Sequence, residues 1–350
     1  MKSPIAVHMN AQRALLSSFV FFLLLIGCDR ESKNTINISG AAQGTSYSIT
    51  YLAGAYSNYR ESIDSIFKQI DQSLSTYVPG SIISRINRND TDVIVDEHFS
   101  KVFYRSIEVS ESTKGLFDVT VAPLVNAYGF GTTRKEYVDQ KRIDTLLGFI
   151  GFEKVKLNGQ KLVKSAPEVM LDFNAIAQGY TVDVLASFLD SKGVHNYLIE
   201  LGGEIRAKGK KLDGSLWSVG IEQPEESKDA GVSLNTKIGL ENTSLATSGN
   251  YKKYYVERGR KYTHIINPIS GMPAKSNLLS ATVLAADCMT ADAYATAFMV
   301  MGMDSAKQFL SDHKELGLEI FFIYDDNGTL KTYISDNLSR QMGKKKNQSL

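Results

Sequence analysis

The chain is short of cysteine: in 350 residues there are only Cys28 and Cys288, and five histidines complete the supply of soft ligands. No His/Cys cluster has zinc spacing, which excludes a structural zinc module. An excess of one charge is also missing. The formal net charge of +1 gives no electrostatic argument for nucleic acid as a partner. Neither a Gly-x-Ser-x-Gly run nor a Walker A run occurs, so the nucleophile elbow and the P-loop are out. Gly202-Gly203 is not a dinucleotide fingerprint, because the further glycine and the following helix are absent. Beyond residue 27 no stretch is long and apolar enough to cross a bilayer. Internal repeats and low-complexity segments are lacking too, which leaves an ordinary globular composition, 43% apolar and 22% charged.

What is present begins with a targeting pattern. Lys2 and Arg13 supply positive charge, and Ala14 to Gly27 is apolar apart from Ser17 and Ser18. This core is short for a spanning helix and has the proportions of a secretory signal over residues 1–27. It ends in Leu25-Ile26-Gly27-Cys28, which resembles the lipobox of bacterial lipoproteins. Cleavage before Cys28 would leave that cysteine to carry lipid, and buried acyl chains contribute about 0.8 kcal/mol per CH₂. Asp29 next to it resembles a signal for retention at the inner membrane, so the expected location is the periplasmic face of that membrane. With Cys28 lipidated, Cys288 is the one remaining thiol and no internal disulfide can form. Residues 28–42 read as a polar tether, 43–338 as one large domain, and 339–350 as a frayed basic tail.

Periodicity sets out an α+β pattern in which mixed or antiparallel sheets pack with helices. Thr45 to Leu52 alternates as a strand. Tyr59 to Leu74, His98 to Ser112 and Lys135 to Leu147 read as helices, with strands around Val155 and Val163. Val169 to Asn174 reads as a strand entering a helix, with Asn174 as its N-cap and Gly193 as its left-handed end. Asn196 to Ala207 reads as strand, Gly-Gly bend, strand, followed by strands at Trp217 to Glu222 and Thr236 to Leu240. Gln223 to Gly231 is a charged surface loop, and Ser248-Gly249 a turn before a strand through Tyr254. Thr290 to Met301 is a helix ended by Gly302, and strands near Ile320 and Tyr333 close the pattern. A charge-poor loop usually lies under another element or a ligand, and the apolar run Gly115 to Gly131 is expected to do so.

The chemistry concentrates around Asp287 to Ala297. On a helix, Asp292 and Thr296 stand one turn apart on one face and offer two hard oxygens, which suits Mg²⁺. The plainer alternative is a solvated aspartate favoured by the helix dipole. Asp172 sits just before a helix whose N-terminus would favour phosphate, and the N-terminus near Thr290 to Asp292 would take the other end of a diphosphate. His264, ahead of a proline loop, is a candidate acid/base group, although isolated histidines are more often structural. Generic spacing therefore reaches a Mg²⁺-assisted site for a phosphate-bearing ligand.

Seven motifs occur in order: Ser75-Thr76-Tyr77 with Ile83-Ser84-Arg85-Ile86-Asn87; Gly115-Leu116-Phe117-Asp118-Val119-Thr120 with Pro123-Leu124-Val125; Asp172 through Gly179-Tyr180 with Asp183; Gly202-Gly203-Glu204-Ile205-Arg206; Ala246-Thr247-Ser248-Gly249; His264 to Gly271; and Ala291-Asp292 with Thr296. In these motifs the chain resembles the ApbE family of FAD:protein FMN transferases, from about Gly44 to Gly302. The resemblance implies a single large domain with an FAD cleft, and Mg²⁺-dependent transfer of FMN from FAD to a Thr or Ser hydroxyl of an acceptor protein, releasing AMP. It further implies Mg²⁺ held by Asp292, Thr296 and the carbonyl of Ala175. FAD would meet Gln43, Tyr77, Leu116, Phe117, Asp118, Asp172, Gln178 and Ile266, with His264 as the base and Asp292 as the second catalytic residue.

The family often has Ser, Lys and Asp where this chain has Asn174, Gln178 and Asn267. No Asp-x-x-Ser/Thr-Gly-Ala-Thr-like acceptor run occurs in the chain itself. The implied acceptor is a separate protein, such as a periplasm-facing subunit of a respiratory complex. Two rival readings are an FAD pyrophosphatase yielding FMN and AMP, and a lipoprotein that binds FAD without turnover. Tyr77, where hydrolase-type relatives tend to differ, leans toward transfer.

Overall fold

The structure, a computed structural model, describes residues 33–54, 57–221, 237–250, 254–257 and 260–343. The signal segment, Cys28 and the expected loop at 223–231 lie outside the described residues. Among the described residues no helix is long and apolar enough to cross a membrane.

One eight-stranded sheet organises the chain in the spatial order β1 (Asn34–Ala42), β2 (Thr45–Ala53), β5 (Tyr197–Leu201), β6 (Glu204–Lys208), β9 (Thr243–Gly249), β12 (Leu278–Ala285), β13 (Glu319–Asp326), β14 (Thr329–Ile334). Every neighbouring pair in it is antiparallel. Three two-stranded ribbons accompany it: β3 (Val155–Asn158) with β4 (Lys161–Lys164), β7 (Trp217–Gly220) with β8 (Lys237–Leu240), and β10 (Tyr254–Glu257) with β11 (Arg260–Thr263). The helices are α1 (Arg60–Leu74), α2 (Ile82–Asn87), α3 (Glu97–Ser112), α4 (Ala122–Ala127), α5 (Gln140–Leu147), α6 (Ala177–Ser191), α7 (Cys288–Met301), α8 (Met303–Asp312) and α9 (Asp336–Gln341).

The period-2 alternation of β2 sends Tyr47, Ile49 and Tyr51 into a core shared with Ile63 and Phe67 of α1 and Val182, Leu185 and Leu189 of α6. β13 is apolar on both faces. Ile320 and Phe322 join the large cluster beneath α7, whereas Phe321 and Ile323 join a second cluster with Trp217, Ile238 and Leu338. The central sheet is thus covered by helices on one side and by β7, β8 and α9 on the other. Helix α7 is apolar around nearly its whole circumference, with Ala291, Ala293, Tyr294, Ala295, Ala297, Phe298 and Met299 all buried. A helix of that composition belongs inside the molecule, and its alanines let it approach β9, β12 and α6 closely.

Several expected boundaries move. Residues 34–42, expected as part of the tether, form β1, paired in register with β2 from Asn34↔Ala53 to Ala42↔Thr45. The expected tail begins inside α9, which runs to Gln341. Helix α5 starts at Gln140, five residues after the expected Lys135, because Asp139 caps it by accepting from the Arg142 amide at 2.8 Å. Ser248 and Gly249 form no turn; they are the last residues of β9, paired with Ala281 and Ser280. Val169 to Asn174 is irregular apart from a parallel bridge between Met170 and Val121. Asn174 does not cap α6, whose helical turn begins after Ile176.

Candidate active site

Asp292 lies on the second turn of α7 and is 5% exposed. Its Oδ2 accepts from the amide of Gly179, in the first turn of α6, at 3.0 Å. Burial pushes its carboxyl up from the ordinary range, and the charge of Asp183 adds to the push. Among the described residues it has no ion pair, and Oδ1 accepts no hydrogen bond. A buried carboxylate with one oxygen uncommitted and no cation beside it suits a hard divalent ion. Thr296, one turn further along, has its Oγ1 3.0 Å from Ser248 Oγ of β9. Ser248 is a member of the site that sequence reasoning left without a role. Ala175 lies half-buried in the turn preceding α6. The proposed ligands, one carboxylate, one hydroxyl and one backbone carbonyl, thus lie on α7 and just ahead of α6. No group of three or more His, Cys, Asp and Glu side chains suited to a metal occurs among the described residues.

The start of α7 is built by one long-range carboxylate and one local one. Asp183, on α6, accepts from the amides of Cys288 at 2.9 Å and Met289 at 2.8 Å, while Asp287 accepts from Thr290 at 2.8 Å. This overturns the expectation that the N-terminus near Thr290 to Asp292 is open to a diphosphate. The chain's own acids occupy those amides.

Burial pushes the Asp183 carboxyl up to about 6, with Asp287 adding to the rise while the two amide donors and Arg206 oppose it. Because the folded state holds this proton more tightly than the unfolded chain, the group's contribution to stability is full below pH 4. It is lost as pH rises towards 6. Between pH 4.5 and 7.5 the loss should be roughly 2 kcal/mol. Denaturant unfolding of wild type and Asp183→Asn at both pH values checks this. The stability difference between them should move by that amount in the variant's favour, and a pH-independent difference would contradict the assignment.

Asp172 is half-buried, and its Oδ1 accepts from the Asn174 amide at 2.7 Å, forming a local side-chain turn. Its own amide donates to Val119 O at 2.7 Å, which joins the loop after Gly115 to this segment. Asn87 secures the neighbour: its side chain donates to Leu171 O and accepts from Leu171 N, both at 2.8 Å. Tyr77 is 60% exposed, and partial burial with the nearby charge of Asp172 pushes the pKa of its hydroxyl up. The turn that presents Tyr77 is tied by Ser81 Oγ donating to Ser75 O at 2.6 Å and by the Ser84 hydroxyl reaching the same carbonyl.

Gln43 occupies the two-residue turn between β1 and β2 with φ +50°. Its side-chain amide donates to Thr181 Oγ1 at 3.0 Å, and its carbonyl accepts from Gln178 at 3.4 Å. Asp71 lies nearby, its carboxyl raised by burial and lowered in part by Gln43; it is a neighbour the sequence reading did not single out. Gln43, Asp71, Gln178 and Thr181 therefore gather at the start of α6.

The structure treats the remaining predicted residues differently. Phe117 is buried in the main core, and Leu116 is half-buried beside it. Asp118 is buried with both oxygens committed, accepting from Thr120 N, Thr120 Oγ1 and Phe152 N at 2.6 to 2.8 Å. Its side chain shapes the loop. Ile266 belongs to a satellite core with Leu124, Tyr128 and Leu146, and the His264 ring lies edge-on to Phe130, centroids 6.3 Å apart. Asn267 Oδ1 accepts from Ile269 N at 2.9 Å and Ser270 N at 3.0 Å. An aspartate would do that turn-building equally well, so the departure at this position leaves the loop intact.

The chain is similar to known proteins over most of its length. A relative from Haemophilus influenzae named FAD:protein FMN transferase is 35% identical over 320 residues, 87% of this chain and 91% of its own length. One of the same name from Vibrio cholerae is 35% identical over 298 residues, 83% and 88% of the respective chains. Among solved structures, the flavin transferase ApbE from Vibrio cholerae aligns with a TM-score of 0.79 and 32% identity over 88% of this chain and 99% of that one. The apo flavinyl transferase ApbE from Pseudomonas stutzeri aligns with a TM-score of 0.80 and 29% identity over 90% and 99%. The ApbE family model matches residues 43–322, and the chain belongs to the ApbE family.

Proposed function

We propose that this chain transfers the FMN part of FAD to a Thr or Ser hydroxyl of a separate acceptor protein in a Mg²⁺-dependent reaction that releases AMP. The relatives' shared name supports the transfer from FAD to protein. The observation that carries the metal reading is Asp292, a buried carboxylate without a cation, with Thr296 one turn away. When bound, Mg²⁺ would supply charge neutralisation to the diphosphate oxygens. Asp292, Thr296 and the Ala175 carbonyl would hold it.

In the transfer, the acceptor oxygen bonds to the FMN-side phosphorus and the bridging P–O bond breaks. The leaving AMP takes the electron pair, and the hydroxyl proton passes to a base, for which His264 is the candidate. Gln43, Tyr77, Asp172 and Gln178 would position FAD around the start of α6, with Leu116 to Asp118 and Ile266 forming further walls. The lipobox-like Leu25-Ile26-Gly27-Cys28 with Asp29 supports lipidation at Cys28 and a place on the periplasmic face of the inner membrane. A subunit of a membrane respiratory complex is an acceptor of the right location.

One assay tests the reading. The purified protein is incubated with FAD, Mg²⁺ and an acceptor domain carrying an Asp-x-x-Thr-Gly-Ala-Thr run, and AMP and acceptor mass are followed. Stoichiometric AMP with an acceptor gaining one FMN moiety is expected. AMP with free FMN would make the protein a pyrophosphatase, and neither product would leave a binding protein.

A further inference from the structure

Helix α7 carries two of the three proposed metal ligands, and two contacts with α6 fix where it begins. One is the Gly179 amide on Asp292 Oδ2. The other is Asp183, one turn further along α6, whose two oxygens take separate amides of α7, those of Cys288 and Met289. A bidentate grip on two successive amides fixes rotation as well as translation of a helix end. Asp287, the residue immediately before the same helix, holds Thr290 N but does not tie α7 to α6. Of the two acids at this helix end, Asp183 is the one that couples the start of α7 to the helix whose first turn meets Asp292.

We propose that Asp183 is a positioning residue for the metal: by clamping the first two amides of α7 against α6 it sets the rotation that aims Asp292 and Thr296 at one point. This rests on the metal reading given under the proposed function. Burying an ionised Asp183 costs the fold stability, as its raised carboxyl indicates. A group kept for packing alone would be better replaced by a neutral one, whereas a group kept for placement should lose metal affinity without losing the fold. Groups supporting metal ligands from outside typically change affinity by about 10- to 100-fold when removed.

The test is Mn²⁺ binding to the purified full chain without FAD, by calorimetry, for wild type, Asp183→Asn and Asp287→Ala, with thermal unfolding of each in chelator. Asp183→Asn should bind Mn²⁺ about tenfold or more weakly while melting near the wild-type temperature at pH 7.5. Asp287→Ala, which loses its cap, should melt lower yet stay within about threefold of wild-type affinity. Equal affinity in wild type and Asp183→Asn overturns this inference alone, and so does equal weakening in both variants. Failure of the wild type to bind Mn²⁺ overturns the metal reading and this inference with it. Should Asp183→Asn not fold, Asp183→Ser, which accepts from one amide only, carries the same expectation.

Discussion

Asp292→Ala is expected to lose FMN transfer by about three orders of magnitude or more in kcat, with the fold preserved. A factor of a thousand corresponds to about 4 kcal/mol of barrier. A metal that neutralises a diphosphate supplies several kcal/mol, and the variant removes the only charged ligand of the proposed set. The fold should survive because the carboxylate is held in a place that disfavours its ionised form. Its loss leaves one amide, that of Gly179, without an acceptor, at a cost of roughly 1 to 3 kcal/mol that relief of the desolvated charge offsets. Two measurements together decide the matter. Intact-mass analysis of the acceptor should show no FMN adduct. The melting temperature in chelator should stay close to wild type, while the rise that Mg²⁺ gives the wild type by mass action should vanish. A variant that still gains stability from Mg²⁺, or that transfers FMN within tenfold of the wild-type rate, would remove Asp292 from the metal site.

The elements that were legible in the sequence are those whose signals are local. The apolar stripe of α6, the Gly202-Gly203 bend between β5 and β6 and the Gly302 end of α7 follow from side-chain period and backbone freedom within a few residues. Asp292 and Thr296 were legible for the same reason, since one turn of helix fixes their spacing. What was misread depends on partners far along the chain. Asn34 to Ala42 has a polar composition because β1 is an edge strand with only Ile38 buried, and its pairing with β2 cannot be seen from its own residues. Ser248-Gly249 carries turn residues, yet β12 pairs with it and holds it extended. The start of α7 looked open to a phosphate because the acid that closes it, Asp183, stands 105 residues away in sequence. Asp172 stands out as a ligand residue, but nothing in its neighbouring residues signals that its carboxylate bonds the amide of Asn174 and so delays the helix to Ala177.

Gly179→Ala should be the most damaging single-methyl change at the site. A Cβ at Gly179 would stand 2.4 Å from Cys288 O and 2.8 Å from Asp292 Cβ. The first of these neighbours is backbone, and the amides of Cys288 and Met289 are held by Asp183, so the clash is not relieved by turning a side chain. Helices α6 and α7 must move apart instead. Overpacking of this kind costs typically 1 to 3 kcal/mol, and the upper end, about 3 kcal/mol, is expected where backbone must shift. For a domain of this size that corresponds to a fall of roughly 6 to 12 °C in melting temperature. Separation also lengthens the Gly179 N to Asp292 Oδ2 contact, 3.0 Å in the native arrangement, and turns the carboxylate away from Thr296. Mg²⁺ should therefore stabilise the variant far less than it does the wild type, and transfer should fall together with that response. Gly148→Ala, whose new Cβ would meet only Thr145 O at 3.1 Å, is the control of matched chemistry and should leave the Mg²⁺ response unchanged. If Gly179→Ala melted like wild type and kept its full Mg²⁺ response, the close crossing of α6 and α7 would not be what holds Asp292 in place.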